Sequence, residues 1–288
     1  MMWREMKERM EIIAKNPIRV FAASYWPRYG YPYKLQHCEK ATDGVRDSCY
    51  ELIIDSNFED PSVSNEDVIK AAEKFDADII IPKDFVGQPT RTLESTKEFL
   101  PLVREADTHA KVWAPIQPPY ADHYAAHADF YSEFSHFALG GLQQFESTQE
   151  QIDAIEAFRE VAGEHVHVHG FGVGTSLEMV KALRRDRPFL DSIDISTAER
   201  ALKNSVIPDK SWKQTPFYIP QGTDSTTVRS NFASAVLIML NYMLGPQVDD
   251  DVVSAYHDQT TLGEVQQMVD STQTGTQATS KRGKAVEE

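Results

Sequence analysis

The chain is poor in cysteine, in basic residues and in long apolar runs. Its only cysteines, Cys38 and Cys49, cannot build a disulfide framework, and their spacing fits no metal knuckle. They read as two reduced thiols. The longest apolar run, FASAVLIMLNYML at 232–244, falls short of the ~20 residues a membrane helix needs. It reads as a buried helix, so no membrane partner is expected. The opening segment, MMWREMKERMEIIAKN, is charged and amphipathic, without the apolar centre of a secretion signal. A cytoplasmic protein is expected.

Lys and Arg number 29 against 44 Asp and Glu, a net charge of −15. That is the wrong sign for a simple nucleic-acid binder, which contacts phosphate through Lys and Arg. Either the substrate is not nucleic acid, or the acidity is an adaptation to high salt. There the Debye length shrinks to about 3 Å at 1 M and charge steering matters little. The acids are spread along the chain (SNFEDPSVSNEDV, STQEQIDAIEAF, VDDDVV). A solvated, halophilic surface fits that spread better than an acidic tail does.

Low-complexity linkers and internal repeats are also missing from the first 265 residues. Short β-rich runs alternate with helical patterns instead. Strands are expected at 18–24, 50–56, 77–84, 111–117, 136–142, 165–172 and 191–197, and a weaker, proline-bearing one at 216–222. Helices are expected at 64–75, with Ser64 as N-cap, and at 90–106, 148–162 and 176–186. Repeated β-then-α implies a parallel sheet. Seven or eight such units suggest an α/β chain folded as a single-domain (β/α)8 TIM barrel. The runner-up, a doubly wound open sheet, would place a Gly-rich turn after the first strand, where Ala22-Ala23-Ser24-Tyr25-Trp26 stands instead. The expected organisation is an N-terminal helix at 1–17, the barrel domain at 18–265 and a disordered polar tail at 266–288.

Each strand run begins apolar and ends polar. The ends carry Asp55, Asp84, Gln117, Gly140-Gly141 and His169-Gly170, and Asp194 lies in the last. In a barrel these C-terminal ends meet at one rim, where active sites are built. Singly, each has a plain alternative as a turn cap or loop residue. Asp194 is harder to explain that way. It stands between Ile193 and Ile195, and a buried carboxylate is costly unless paired or functional. Asp191 reads as the residue at the start of the strand, with no chemistry. His167 and His169 alternate with Val and share one face of their strand. A metal is one reading of that pair; structural histidines are the favoured one, so no metal and no cofactor are expected. Several carboxylates and an amide suit displacement of a base at an anomeric carbon, with one acid as nucleophile and another moving the proton. The remaining Asp and Gln can read a purine edge.

In chain order, from about Arg19 to Leu244, these segments resemble the guanine transglycosylases, the family that exchanges guanine in nucleic acid for a 7-deazaguanine. IIDSNFED (53–60) is similar to the family's DSGGFQ strand end, although it lacks the Gly-Gly and the Gln. DIIIPKDF (78–85), APIQPP (114–119) and FALGGL (137–142) resemble the base-reading segments. HVHGFGVGTSLEMVKAL (167–183) resembles LMGVGTPEDLLEAV, and FLDSIDIST (189–197) resembles the nucleophile strand. The resemblance implies Asp194 as nucleophile and Asp55 as acid/base. It implies Asp84, Gln117, Gly140, Gly141, Leu142, His169 and Gly170 as substrate-binding residues. The three closely spaced Cys and the His of the family's tRNA zinc site are absent. The closest likeness is therefore to the shortened virus- and island-encoded relatives that act on DNA.

That likeness implies DNA as the partner, with tRNA as the alternative, a free 7-deazaguanine base as co-substrate, and a possible homodimer. It also implies a halophilic archaeal or viral source, and the host cytoplasm if virus-encoded. The loop SYWPRYGYPYK (24–34) offers Arg28 and Lys34 as cations for nucleic acid; a rim loop packed on its own tyrosines is the equal alternative. Two other readings stay open: a purine-binding or nucleic-acid-binding barrel without turnover, and a metal-dependent hydrolase using His167 and His169.

Overall fold

The computed structural model describes residues 10–23, 30–174, 176–184, 189–196, 206–208 and 214–216, with scattered positions between 233 and 245. Residues 10–15 are helical (α1). The strands that follow are β1 (Arg19–Ala23), β2 (Tyr33–His37), β3 (Glu51–Asp55), β4 (Ile79–Ile80), β5 (Lys111–Val112), β6 (Ala114–Ile116), β7 (His136–Leu139), β8 (His167–Gly170) and β9 (Ser192–Ile195). They form one parallel sheet in the order β5-β4-β3-β2-β1-β9-β8-β7-β6. Only Trp113 separates β5 from β6 in the chain. The first half of this broken stave pairs with β4 and the second with β7. The sheet therefore closes, and its nine segments make the eight staves of a (β/α)8 barrel.

The helices are α2 (Asp43–Arg46), α3 (Asn65–Phe75), α4 (Pro89–Glu105), α5 (Tyr120–Ala126), α6 (Ala128–Tyr131), α7 (Thr148–Ala162) and α8 (Leu177–Leu183). Their starts follow from local chemistry. Ser64 accepts the Asp67 N–H while Asp67 answers to the Ser64 N–H, a capping box. Ser147 and Ser176 each cap their helix, α7 and α8, from one side only.

Apolar runs along the strands serve two cores at once, because successive side chains point to opposite faces. Phe21, Leu35, Ile53, Ile79, Ile81, Trp113 and Ala138 fill the barrel interior. Their neighbours Val20, Ala22, Phe137, Val168 and Ile193 face outward into the main helix layer, and Leu52, Ile54 and Ile80 meet α3 and α4. The run at 232–244 is helical at its described positions, and Ala233, Val236, Leu237, Leu240 and Leu244 are buried in that layer.

One stave differs from the sequence reading. The strand between β1 and β3 is Tyr33–His37, part of which the sequence placed in a loop; the expected strand at 216–222 lies, apart from Pro216, outside the described residues. Residues 214–216 pair antiparallel with 206–208 in a separate two-stranded sheet. The signal was hidden because YKLQH puts Lys34 and Gln36 on its outward face, where both are nonetheless fully buried. Lys34 ends its stem on the Ser48 hydroxyl at 2.6 Å. The tail at 266–288 lies outside the described residues.

Candidate active site

Parallel staves all end on the same side, so the last residues of β3, β4, β6, β7 and β9 converge. Asp55 closes β3 and is 7% exposed; Asp84 lies four residues after β4 and is 8% exposed; Gln117, just after β6, is fully buried. Gly140-Gly141 follows β7, and Asp194 lies in β9 with its side chain 15% exposed.

Hydrogen bonds fix these groups. Gln117 Nε2 donates to Asp84 Oδ2 at 2.7 Å, and Gly87 N–H donates to Gln117 Oε1 at 3.1 Å, which sets the amide's orientation. The backbone of Gly140 presses on this pair. A Cβ there would sit 2.1 Å from Gln117 Nε2 and 3.0 Å from Asp84 Oδ2. Tyr120 Oη holds the Gly140 carbonyl at 2.6 Å from behind. Gly141 then turns the chain with φ 75° into the short 3-10 helix Leu142–Gln144. Asp194 Oδ1 accepts the Gly172 N–H at 2.9 Å.

The three carboxyls share an environment that opposes charge. Burial raises Asp84 to about 6 and Asp194 to about 6. Asp55 is raised well above the ordinary carboxylate value, first by burial and then by the charges of Asp84 and Asp194. The rim therefore favours the protonated form of each carboxyl, and Asp55 feels both of its acidic neighbours.

Other residues picked from sequence lie deeper in the barrel or on other faces. A Cβ on Gly170 would meet Val173, Leu190 and Leu142, so Gly170 faces the helix layer. Leu142 is buried in the same layer. His169 lies inside the barrel, fully buried, packed on Phe21, Trp113 and Phe171. His167 and His169 both contact the Ser192 hydroxyl at 2.9 Å. Burial lowers both, His167 to about 4. Among the described residues no group of three or more His, Cys, Asp or Glu side chains is placed to hold a metal ion. Lys34 is the buried lysine of β2, and Arg28 lies outside the described residues. Asp191 is a structural acid, accepting from Arg159 and, at 2.7 Å, from the Val168 N–H.

Gly87, Tyr120, Gly172 and Ser192 join the site without having been singled out from sequence. Gly172 alone left a trace, in the Gly-x-Gly-x-Gly of 170–174. It sits at φ 64°, and a Cβ there would lie 2.3 Å from Gln143 Nε2.

A closed parallel barrel with buried acids and an oriented amide on its C-terminal rim has the arrangement of a barrel enzyme. The family model described as queuine tRNA-ribosyltransferase matches residues 51–200. That span is more than half of the chain and takes in Asp55, Asp84, Gln117 and Asp194. The chain belongs to this family of guanine transglycosylases, which are pentosyltransferases. No curated protein matches the chain.

Proposed function

We propose that the protein replaces guanine in a polynucleotide, DNA by preference, with a 7-deazaguanine through a covalent aspartyl intermediate. The observation that carries this is the cluster of three buried carboxyls at one rim, one of them, Asp194, held by a backbone N–H. The target guanosine is flipped into the rim. Asp84, Gln117 and the Gly141 N–H read its base. An Asp194 oxygen bonds to C1′ as the C1′–N9 bond breaks, the electron pair leaves with guanine, and Asp55 supplies the proton. The incoming deazaguanine gives its N9 proton to Asp55, and its nitrogen displaces Asp194 from C1′.

The raised pKa of Asp55 suits a proton donor near neutral pH. Asp194, raised only to about 6, is largely ionised there. The preference for DNA rests on the lack of any cysteine after Cys49, which leaves no three-Cys zinc site of the kind tRNA-acting relatives carry. The tRNA reading is favoured by the family's own description. We also propose a cytoplasmic setting at high salt for the acidic surface, with 18–265 as the catalytic unit.

The test is transfer of labelled guanine into duplex DNA or tRNA in molar salt. Label in DNA, lost in Asp194→Ala, supports the reading, and a covalent adduct absent from Asp194→Asn supports the intermediate. Label in tRNA alone moves the acceptor to tRNA. If neither polymer acquires label, the proposal fails.

A further inference from the structure

Beneath Asp194 lies a column of polar groups that the exchange reaction leaves without a role. Ser192 Oγ stands 2.9 Å from His167 Nε2 and 2.9 Å from His169 Nδ1. A hydroxyl has one proton. Ser192 can therefore donate to one imidazole only, and in the other contact the ring N–H must donate. Two arrangements satisfy this. Ser192 donates to His169, accepts from His167, and the neutral His169 carries its proton on Nε2. Or the direction reverses, and His169 Nε2 is a bare lone pair.

The surroundings choose between them. His169 Nε2 is buried and has no hydrogen-bond partner among the described residues. It stands 4.0 Å from Asp194 Oδ1. A bare lone pair there repels an ionised carboxylate, whereas an N–H attracts it. An orphaned buried N–H is also costly. Closing by about 1 Å brings the pair to ordinary N–H···O length. Oδ1 already takes the Gly172 N–H.

We propose that His169, its tautomer set by Ser192 and His167, is a positioning residue for Asp194: its Nε2–H and the Gly172 N–H hold Oδ1, so that Oδ2 is the attacking oxygen. The inference rests on the reading of Asp194 as nucleophile. In the attack Oδ2 bonds to C1′ as the bond from C1′ to guanine N9 breaks, and Oδ1 becomes the ester carbonyl, still held by both donors. When the incoming base displaces the ester, the same donors receive the returning carboxylate.

The test compares His169→Leu with His169→Gln, whose amide nitrogen takes the place of Nε2–H, in guanine exchange. Leu is expected to lower kcat about 10–100-fold with KM for guanine unchanged, and Gln to recover most of that loss. A purely packing role would let Leu outperform Gln. In parallel, the imidazole nitrogen shifts of 15N-histidine-labelled wild type report the tautomer. His169 is expected with its proton on Nε2, and Ser192→Ala is expected to erode that preference. A Gln variant as slow as Leu, or a wild-type proton on Nδ1, overturns the inference. If Leu fails to fold, the nitrogen shifts decide alone. If wild type exchanges no guanine, the nucleophile reading falls, while the nitrogen shifts still report whether His169 presents an N–H to Asp194.

Discussion

Gln117 and Asp84, carried by different staves, are joined by one 2.7 Å hydrogen bond at the barrel mouth, with the Gly140 backbone pressed against both. The Gly87 N–H fixes which end of the amide faces the acid. The two groups proposed to read a purine edge thus form one preoriented unit.

Gly140→Ala tests that unit. The new Cβ would overlap Gln117 Nε2 at 2.1 Å and crowd Asp84 Oδ2 at 3.0 Å, so the pair must separate. KM for guanine is expected to rise at least about 10-fold, because misplacing a positioned group by about 1 Å is that expensive. Titrating exchange rate against guanine concentration reads the effect, and an unchanged KM would show that the pair does not contact the base.

Burial of the rim acids has a sign for stability. Asp84 and Asp194 stand at about 6 when folded, against an ordinary 3.8. The unfolded chain loses these protons first as pH rises. The stability they contribute is present below about pH 4 and is lost as pH climbs to about 6, on the order of 2–3 kcal/mol per group. Denaturant unfolding across this window, in wild type and in Asp194→Asn, measures it. The variant is expected to show a shallower decline, and identical slopes would show that Asp194 contributes nothing to the pH dependence.

Arg159 and Asp191 lock the start of β9. Arg159 Nε and Nη1 donate to the carbonyls of Phe189 and Val166 at 2.9 and 2.6 Å, and Nη2 meets Asp191. Asp191→Ala leaves the Val168 N–H and part of the guanidinium without a partner. A loss of about 2 kcal/mol in unfolding free energy is expected, with the denaturant m-value unchanged.

Lys34→Met separates a structural lysine from a phosphate contact. A phosphate-binding lysine would reduce the salt slope of nucleic-acid binding by about 1 when removed. Because Lys34 is fully buried on Ser48, the slope measured between low and high salt is expected to stay the same while thermal stability falls. A reduced slope would return Lys34 to the nucleic-acid surface.

Much of the fold and part of the site are legible in the sequence. The helices at 64–75 and 148–162 are readable because serine caps and the 3.6-residue apolar period are local signals. Asp194 is legible as an anomaly, an acid between two isoleucines. That Gly170 faces the helix layer was not legible, and the reason is general. A strand's period tells which residues share a face, but not which of two buried faces is the barrel mouth and which the helix layer. Tyr33–His37 was missed because its outward lysine and glutamine look solvated in sequence and are buried only by what packs on them.

By itself the sequence determined the alternation of strand and helix, the polar strand ends, and the match to a transglycosylase family, since all three depend on residues near one another in the chain. Only the tertiary structure decided that β5 and β6 are one stave around Trp113, that Gln117 answers to Asp84 and Gly87, and that His169 aims a nitrogen at Asp194. Those contacts join residues tens of positions apart. They exist because closing a parallel sheet brings every strand end to one rim, a geometry that no single stretch of sequence contains.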